Sequence, residues 1–452
     1  VAHPQSDAPA VLPQLIDVTE AAGVTFRHHN GAFGKIWMPE TIGSGAGFFD
    51  YNSDGHPDIL LINSSDWPGQ ESSGRHTPRL YVNDGEGRFS DATAAAGLDA
   101  IEFYGMGFAA ARLEVGGETK TYLMLTGVGR NYLLRNDGGR FVDITETHLQ
   151  NDPALANPVP DWSLGAAWFD YDQDGHLDLL VVNYVCWTPE TDVFTTLDGT
   201  TKSYATPQVY EGQTSRLYRN TGDGKLVEVT ARAGLHNRNG KSMSALIDDF
   251  NGDLRPDIFI TNDTQPNFLY LNNGDGTFRE VATDAGCAYD DVGRARAGMG
   301  TYSADLNNSG PLAIAIGNFT REPVSLYQRV DGASGLVFAD GAGRTRLSRP
   351  TLLSLTFGTV FADFDLDGLP DLMIANGHIE PEINRVQRDV TFAQRQQFFR
   401  NHKGTFEDVS SEVGRDFAQP FVGRALAVAD IDGDGDLDVL FSANNDRPRL
   451  FR

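Results

Sequence analysis

An acidic stretch, Asp170-Tyr171-Asp172-Gln173-Asp174-Gly175-His176-Leu177-Asp178, recurs along this chain at a mean spacing of about 63 residues. No other feature constrains the fold as tightly, because self-similarity at such a period marks one supersecondary unit repeated many times. Apolar runs flank the stretch, 166–169 before it and 179–182 after it. Four carboxylates at alternate spacing repel one another in a folded chain unless a cation sits among them. Calcium takes about six to eight oxygens; side chains at positions one, three, five and nine can converge on one point, and the carbonyl at position seven adds another. Gly175, at position six, permits the sharp turn with positive φ. A helix-flanked loop of this kind continues to a glutamate at position twelve, where this chain has Val181 inside a run of β-favouring residues. The loop therefore joins two strands.

Full or nearly full copies begin at Asp50 (with Asn52, Asp54 and Asp58), Asp249 (with Asn251, Asp253 and Asp257), Asp363 (with Asp365, Asp367 and Asp371) and Asp430 (with Asp432, Asp434 and Asp438). About five calcium ions are expected, held by these side chains and by the position-seven carbonyls of His56, His176, Arg255, Leu369 and Asp436. In the loop that starts at Asp249, Leu254 stands where glycine is expected, and a left-handed L-residue costs about 1–2 kcal/mol, so that loop is expected to bind most loosely. A sixth copy from Asp305 has Ser309 and Ala313 in place of carboxylates and is expected to hold the ion weakly or not at all. Between the first two acidic loops the gap is doubled, and Gly116-Gly117 at its middle replaces the metal loop with a hairpin turn.

Each unit continues in the same order. After the loop comes an apolar strand ending in Asn63, Asn183, Asn262, Asn318 or Asn376, then a connection of variable length. A short aromatic strand such as Arg216-Leu217-Tyr218-Arg219-Asn220 follows, then a glycine turn and a last strand such as Phe141-Val142-Asp143-Ile144-Thr145. Four short strands per unit over seven units predict an all-β, seven-bladed β-propeller of four-stranded antiparallel blades. The last unit stops one strand short at Arg452, while Leu15-Ile16-Asp17-Val18-Thr19 has the fourth-strand pattern and precedes any first strand that it could serve. Residues 14–19 are thus expected to pair antiparallel with residues 447–452 and close the ring. The repeats span nearly the whole chain, so residues 1–13 read as an N-terminal linker and 14–452 as one propeller.

The formal net charge of −26 argues against nucleic acid and anionic membrane surfaces as partners. No run of about eighteen apolar residues is present to span a bilayer. The chain opens Val1-Ala2-His3-Pro4 without an initiating methionine, which reads as a processed, exported protein. An extracytoplasmic location, secreted, periplasmic or cell-surface, supplies the calcium that loops of this kind need. Cys186 and Cys287 lie in different repeats, and a bridge between them is not expected.

The acidic loops and four-strand units resemble FG-GAP or VCBS repeat proteins, which share calcium-loop blades with the integrin α-subunit head. The segments Asp17-Val18-Thr19-Glu20-Ala21-Ala22-Gly23-Val24, Asn30-Gly31, Pro39-Glu40-Thr41 and Gly43-Ser44-Gly45 resemble bacterial relatives of cartilage acidic protein. That family usually carries an ASPIC/UnbV domain after the propeller, and the expectation is that it was removed here or is lacking. The resemblance implies a calcium-binding interaction or adhesion module, or a subunit of an extracellular assembly, with a protein or glycan partner. The alternative is a carbohydrate-active enzyme of lyase or dehydratase type on the same scaffold; a non-enzymatic role is the leading expectation.

The resemblance to related propellers implies that the longest connections, 63–78, 183–214 and 376–396, lie on the face opposite the acidic loops, and long ordered loops tend to be functional. Trp37, Trp67, Trp162 and Trp187 fall in connections on that side and are candidates for a ligand face, unless they only anchor their loops. The pair His28-His29, with Trp37 and Glu40 downstream, lacks a third metal ligand at recognisable spacing, as do His378, Glu380 and Glu382; hydrogen-bonded structural roles are expected for both groups. The sequons at Asn63, Asn262 and Asn318 coincide with the end-of-strand asparagine, so the repeat accounts for them.

Overall fold

The small residues at the start of each innermost strand decide how closely the repeats approach one another. A Cβ on Gly45 would lie 2.6 Å from the Met106 carbonyl oxygen of the next repeat, and one on Gly358 would lie 2.8 Å from that of Arg424. Glycine at these points lets neighbouring strand starts approach closely. The computed structural model describes residues 12–70, 74–330, 332 and 335–452.

Blade four shows the pattern, with Ser242–Asp248, Asp257–Asn262, Phe268–Asn272 and Phe278–Glu280 pairing antiparallel in chain order. The second strand is buried along its whole length, as its continuous apolar run requires, while the inner strand is half-buried along the channel. Blade one (Ala46–Phe49 to Phe89–Asp91), blade five (Thr301–Ala304 to Phe338–Asp340) and blade six (Thr356–Ala362 to Phe406–Asp408) repeat this order. In blade two, Tyr104–Val115 and Glu118–Val128 form a long hairpin across Gly116 and Gly117, both at positive φ, where the sequence predicts a turn without metal. Apolar clusters bridge neighbouring blades: Leu60 and Leu80 of the first pack with Leu123 and Leu125 of the second.

Blade seven has only Gly423–Ala429, Asp438–Ala443 and Arg449–Phe451 from the end of the chain. Beside its outer strand lies the N-terminal segment, with Asp17 opposite Phe451 in an antiparallel bridge. Ile16 N donates to Arg452 O at 2.9 Å, Val18 N to Leu450 O at 2.8 Å, and Arg452 N to Ile16 O at 3.1 Å. Leu15 is buried in the cluster that contains Phe417, Phe441 and Phe451. Residues 1–11 of the expected linker lie outside the described residues, and Leu12 packs partly buried on this cluster.

Blade three carries an addition that its repeat pattern does not encode: Leu149–Gln150 pairs in parallel with Leu226 and Val227 as a fifth strand. Its 183–214 connection folds back as a short hairpin, Thr195–Thr196 with Lys202–Ser203. Cys186 and Cys287 are unbridged, and Asn63, Asn262 and Asn318 are buried, so their side chains serve the repeat and not a glycan. Among the described residues no helix is long and apolar enough to cross a membrane.

Candidate functional site

The five acidic loops share one hydrogen-bond scheme. The first aspartate accepts from the main-chain nitrogen at position six: Gly55 to Asp50 at 3.1 Å, Gly175 to Asp170 at 2.9 Å, Leu254 to Asp249 at 2.7 Å, Gly368 to Asp363 at 2.9 Å and Gly435 to Asp430 at 3.1 Å. The position-nine aspartate joins the loop to the sheet. Asp178 accepts from Tyr171 N at 3.0 Å and from Asn220 N, on the third strand, at 2.7 Å. Asp58 and Asp257 repeat both contacts, with Tyr51 and Asn83 for the first and Phe250 and Asn272 for the second. Leu254 adopts the left-handed conformation (φ 65°), as the missing glycine predicts. Position four is left-handed as well, at Ser53, Gln173 and Leu366, which the glycine-based sequence reading missed because no glycine marks it there.

Oxygens from Asp170, Asp172 and Asp178 lie within 4.8 Å of one another, as do those of Asp363, Asp365 and Asp371 and those of Asp430, Asp432 and Asp438. Several of these oxygens are buried and accept no hydrogen bond: Asp172 Oδ1, Asp363 Oδ1, Asp371 Oδ2 and Asp432 Oδ1. A buried carboxylate oxygen without a donor is costly, so these positions fit a cation in both geometry and charge. Burial, with the neighbouring loop carboxylates adding to it, pushes Asp178 up to about 7 and Asp371 up to about 8. Asp257 and Asp438 are raised to about 6 for the same reason.

Arginine offsets part of the charge that the sequence reading assigned wholly to a cation. Arg219 lies 2.7 Å from both Asp172 and Asp174, Arg400 lies 2.6 Å from Asp365, and Arg452 pairs with Asp432. Arg219 and Arg400 directly precede the terminal asparagine of a third strand, so one position in the repeat aims a guanidinium at its own loop. The corresponding residues of blades one and four are Val82 and Leu271. In blade four Arg255 pairs with Asp253 from within the loop.

That terminal asparagine is a tie between blades that the sequence reading passed over. Asn272 Nδ2 donates to Tyr171 O in the preceding blade's loop at 2.8 Å, Asn401 to Leu306 O at 2.7 Å, and Asn136 to Tyr51 O at 3.0 Å. The recurrence of asparagine at this strand position was the available signal.

On the opposite face the four tryptophans come together. Trp37 meets Trp67 at 5.1 Å between ring centroids and Trp187 at 5.8 Å, while Trp162 meets Trp187 at 5.9 Å, all edge-to-face. Trp67, Trp162 and Trp187 are buried, with Trp37 half-buried over them, in a cluster with Tyr104 and Tyr210. They lie beneath the long connections, as side chains that anchor their loops would, and Trp37 keeps the most exposure of the four.

At the channel mouth the structure joins residues that the sequence kept apart. Tyr204, from the 183–214 connection, donates its hydroxyl to Glu40 at 3.0 Å and its main-chain nitrogen to Glu380 at 3.2 Å. Beside them Arg424 is buried without a carboxylate partner among the described residues, held by the carbonyls of Thr41, Gly377 and Gly423 and stacked on Phe357. Burial, with the Arg424 charge adding to it, lowers His28 to about 3 and His378 to about 4. Each ring accepts a main-chain hydrogen bond at Nδ1, from Asn445 and Glu380, in the structural role expected of both. A cavity of about 110 Å³ lies nearby, lined by Met243, Met299 and Phe357 and by the carboxylates of Asp263 and Glu322.

Seven meandering blades, five of them with acidic turns between first and second strands, define a β-propeller similar to those built from FG-GAP repeats. The FG-GAP-like repeat family matches residues 120–181, 249–316 and 386–441. Cartilage acidic protein 1 of Xenopus tropicalis is 33% identical over 187 residues, which cover 41% of this chain and 26% of that protein. The Homo sapiens protein of the same name is 32% identical over 189 residues, with the same coverage. The matched stretch thus spans about a quarter of the length of these relatives. Among solved structures, an Agrocybe aegerita lectin that recognises non-reducing terminal N-acetylglucosamine aligns over 88% of each chain at 16% identity and a TM-score of 0.43. BBS1N in complex with ARL6DN aligns over 98% of this chain and 97% of its own at 9% identity and a TM-score of 0.49.

Proposed function

We propose that this protein is a calcium-stabilised propeller that works outside the cytoplasm and docks a protein or glycan partner on the face opposite its acidic loops. The observation that carries the calcium assignment is the set of buried carboxylate oxygens without donors in the loops that begin at Asp170, Asp363 and Asp430. The residues that would hold the ions are the side chains at positions one, three, five and nine of the five loops, with the position-seven carbonyls. The docking assignment is supported by Phe194, Leu197 and Val209, which are 66%, 50% and 50% exposed on the longest connection. Apolar side chains displayed on an ordered excursion are characteristic of contact surfaces.

The test has two arms. Metal analysis of protein never exposed to chelator should find about five calcium ions per chain, and one or none would end the calcium reading. Capture from the native extracellular fraction should recover a partner that Phe194→Ser/Leu197→Ser no longer retains; equal recovery by parent and variant would end the docking reading.

The convergence of Glu40, Tyr204 and Glu380 favours a second reading, an enzyme acting on carbohydrate. Glu40 is 1% exposed, so that reading requires the 183–214 connection to move aside. Turnover of acidic polysaccharides lost in Glu40→Gln would establish it.

A further inference from the structure

We propose that His29, Asp66 and His76 form a second kind of metal site, at the opposite end of blade one from its acidic loop, and that this site takes a single divalent ion of the zinc class. His29 lies on the connection into the first inner strand, and Asp66 and His76 lie on the 63–78 connection between the second and third strands. Two hydrogen bonds fasten these segments together: His29 N donates to Asn63 Oδ1 at 2.8 Å, and Ser64 N donates to His29 O at 3.2 Å. The backbone thereby fixes where the His29 ring stands relative to the loop carrying the other two residues.

The three side chains offer a nitrogen, an oxygen and a nitrogen, all within 4.8 Å of one another. His29 Nε2 is 2.6 Å from Asp66 Oδ1, and His76 Nε2 is 4.0 Å from Asp66 Oδ2. Donors bound at about 2.0–2.1 Å to a tetrahedral ion stand roughly 3.3 Å apart, so these two separations bracket the spacing such an ion needs. The side chains are 25%, 14% and 22% exposed in the order His29, Asp66, His76, which leaves the site reachable yet partly dehydrated. Two imidazoles with one carboxylate suit zinc, nickel or copper, whereas calcium prefers an all-oxygen set. The acidic loops, with oxygen donors only, have the opposite preference, so the two ends of blade one would sort two classes of ion.

The two imidazoles are stacked, with centroids 3.6 Å apart and planes 12° from parallel. Parallel stacked rings cannot both direct an in-plane lone pair at one ion, so loading requires one ring to rotate and the stack to open. Three protein donors leave a fourth position for water or for a donor from a docked partner.

The test uses the full chain in millimolar calcium, which keeps the acidic loops filled. Zinc titrated by calorimetry should show one calcium-resistant site per chain with micromolar or tighter affinity, and cobalt should give the intense visible absorption of four-coordinate geometry. His76→Gln and Asp66→Asn should each weaken this site at least tenfold while leaving calcium content unchanged. The two histidine ring signals should shift together in nitrogen-resolved NMR as the stack opens. No calcium-resistant zinc site, or one of equal affinity in both variants, overturns the proposal. If either variant fails to fold, ring shifts of the parent protein decide: zinc that leaves both His29 and His76 unmoved also overturns it.

Discussion

Asn83 in the first blade donates from Nδ2 to the carbonyl oxygen of Ile431 in the last, 2.8 Å away across 348 residues of sequence. The same amide donates to Pro57 O at 3.2 Å, and its oxygen accepts from Gly85 N at 3.0 Å. One buried side chain thus ties its own blade's loop, its own turn and the neighbouring blade's loop together. It is a second closure of the ring, at the acidic-loop face. Asn83→Ala leaves the Ile431 and Pro57 carbonyls without these donors and should destabilise the fold by about 1–3 kcal/mol. Asn273→Ala, at an exposed turn position, should change stability by less than about 0.5 kcal/mol. Denaturant unfolding in saturating calcium measures both.

Calcium should be a large part of the protein's stability. Each loop filled at a hundred times its dissociation constant adds roughly 2.7 kcal/mol, so chelation should lower the melting temperature markedly. Asp170→Asn and Asp363→Asn should each cost one bound ion by metal analysis. A melting curve indifferent to chelator contradicts this.

Leu254 is 83% exposed at φ 65°, so its side chain contributes little packing while its backbone is strained. Leu254→Gly should stabilise the protein by up to about 1 kcal/mol and tighten calcium binding in the fourth blade. Unchanged or lower stability would show that this strain is not present.

Acid should act through the buried histidines. His28 is lowered from 6.5 to about 3 by burial, so between those values the unfolded chain binds a proton that the folded chain refuses. Stability is therefore lost as the pH falls below 6.5, by roughly 2–3 kcal/mol at about pH 4.5 for this one group. His28→Asn should remove that part of the slope. The readout is the difference in unfolding free energy between parent and variant across pH 4.5–7.5, and a constant difference would refute it.

Asp263 should act with the opposite sign. Burial raises it from 3.8 to about 7, with Glu322 adding to the shift and Lys241 opposing it. The folded chain keeps a proton that the unfolded chain releases, so stability falls as pH rises from about 4 to 7. Asp263→Asn can still accept the Tyr184 hydroxyl, which lies 2.7 Å from the native carboxylate, and should gain on the parent across that window. A variant less stable than the parent at pH 7 would refute it.

The sequence by itself determined the repeat, the strand order within a blade, the acidic loops, the hairpin at Gly116-Gly117 and the place of Asp17 beside the last strand. All of these are written in chemistry that acts over about a dozen residues: alternating carboxylates, glycine at a left-handed turn, a run of apolar residues long enough for one strand. The tertiary structure decided what happens between blades and at the ends of long connections. Asn83 reaches Ile431 only because the ring closes, and Arg219 and Arg400 reach their loops only because the third strand ends beside them. The four tryptophans could have faced outward until the connections folded over them, and His29 gained Asp66 and His76 as neighbours only when two separate segments were fastened together. Such contacts depend on the rotation from one blade to the next and on the path of non-repeating loops. Neither leaves a period in the sequence, so no spacing rule could have read them.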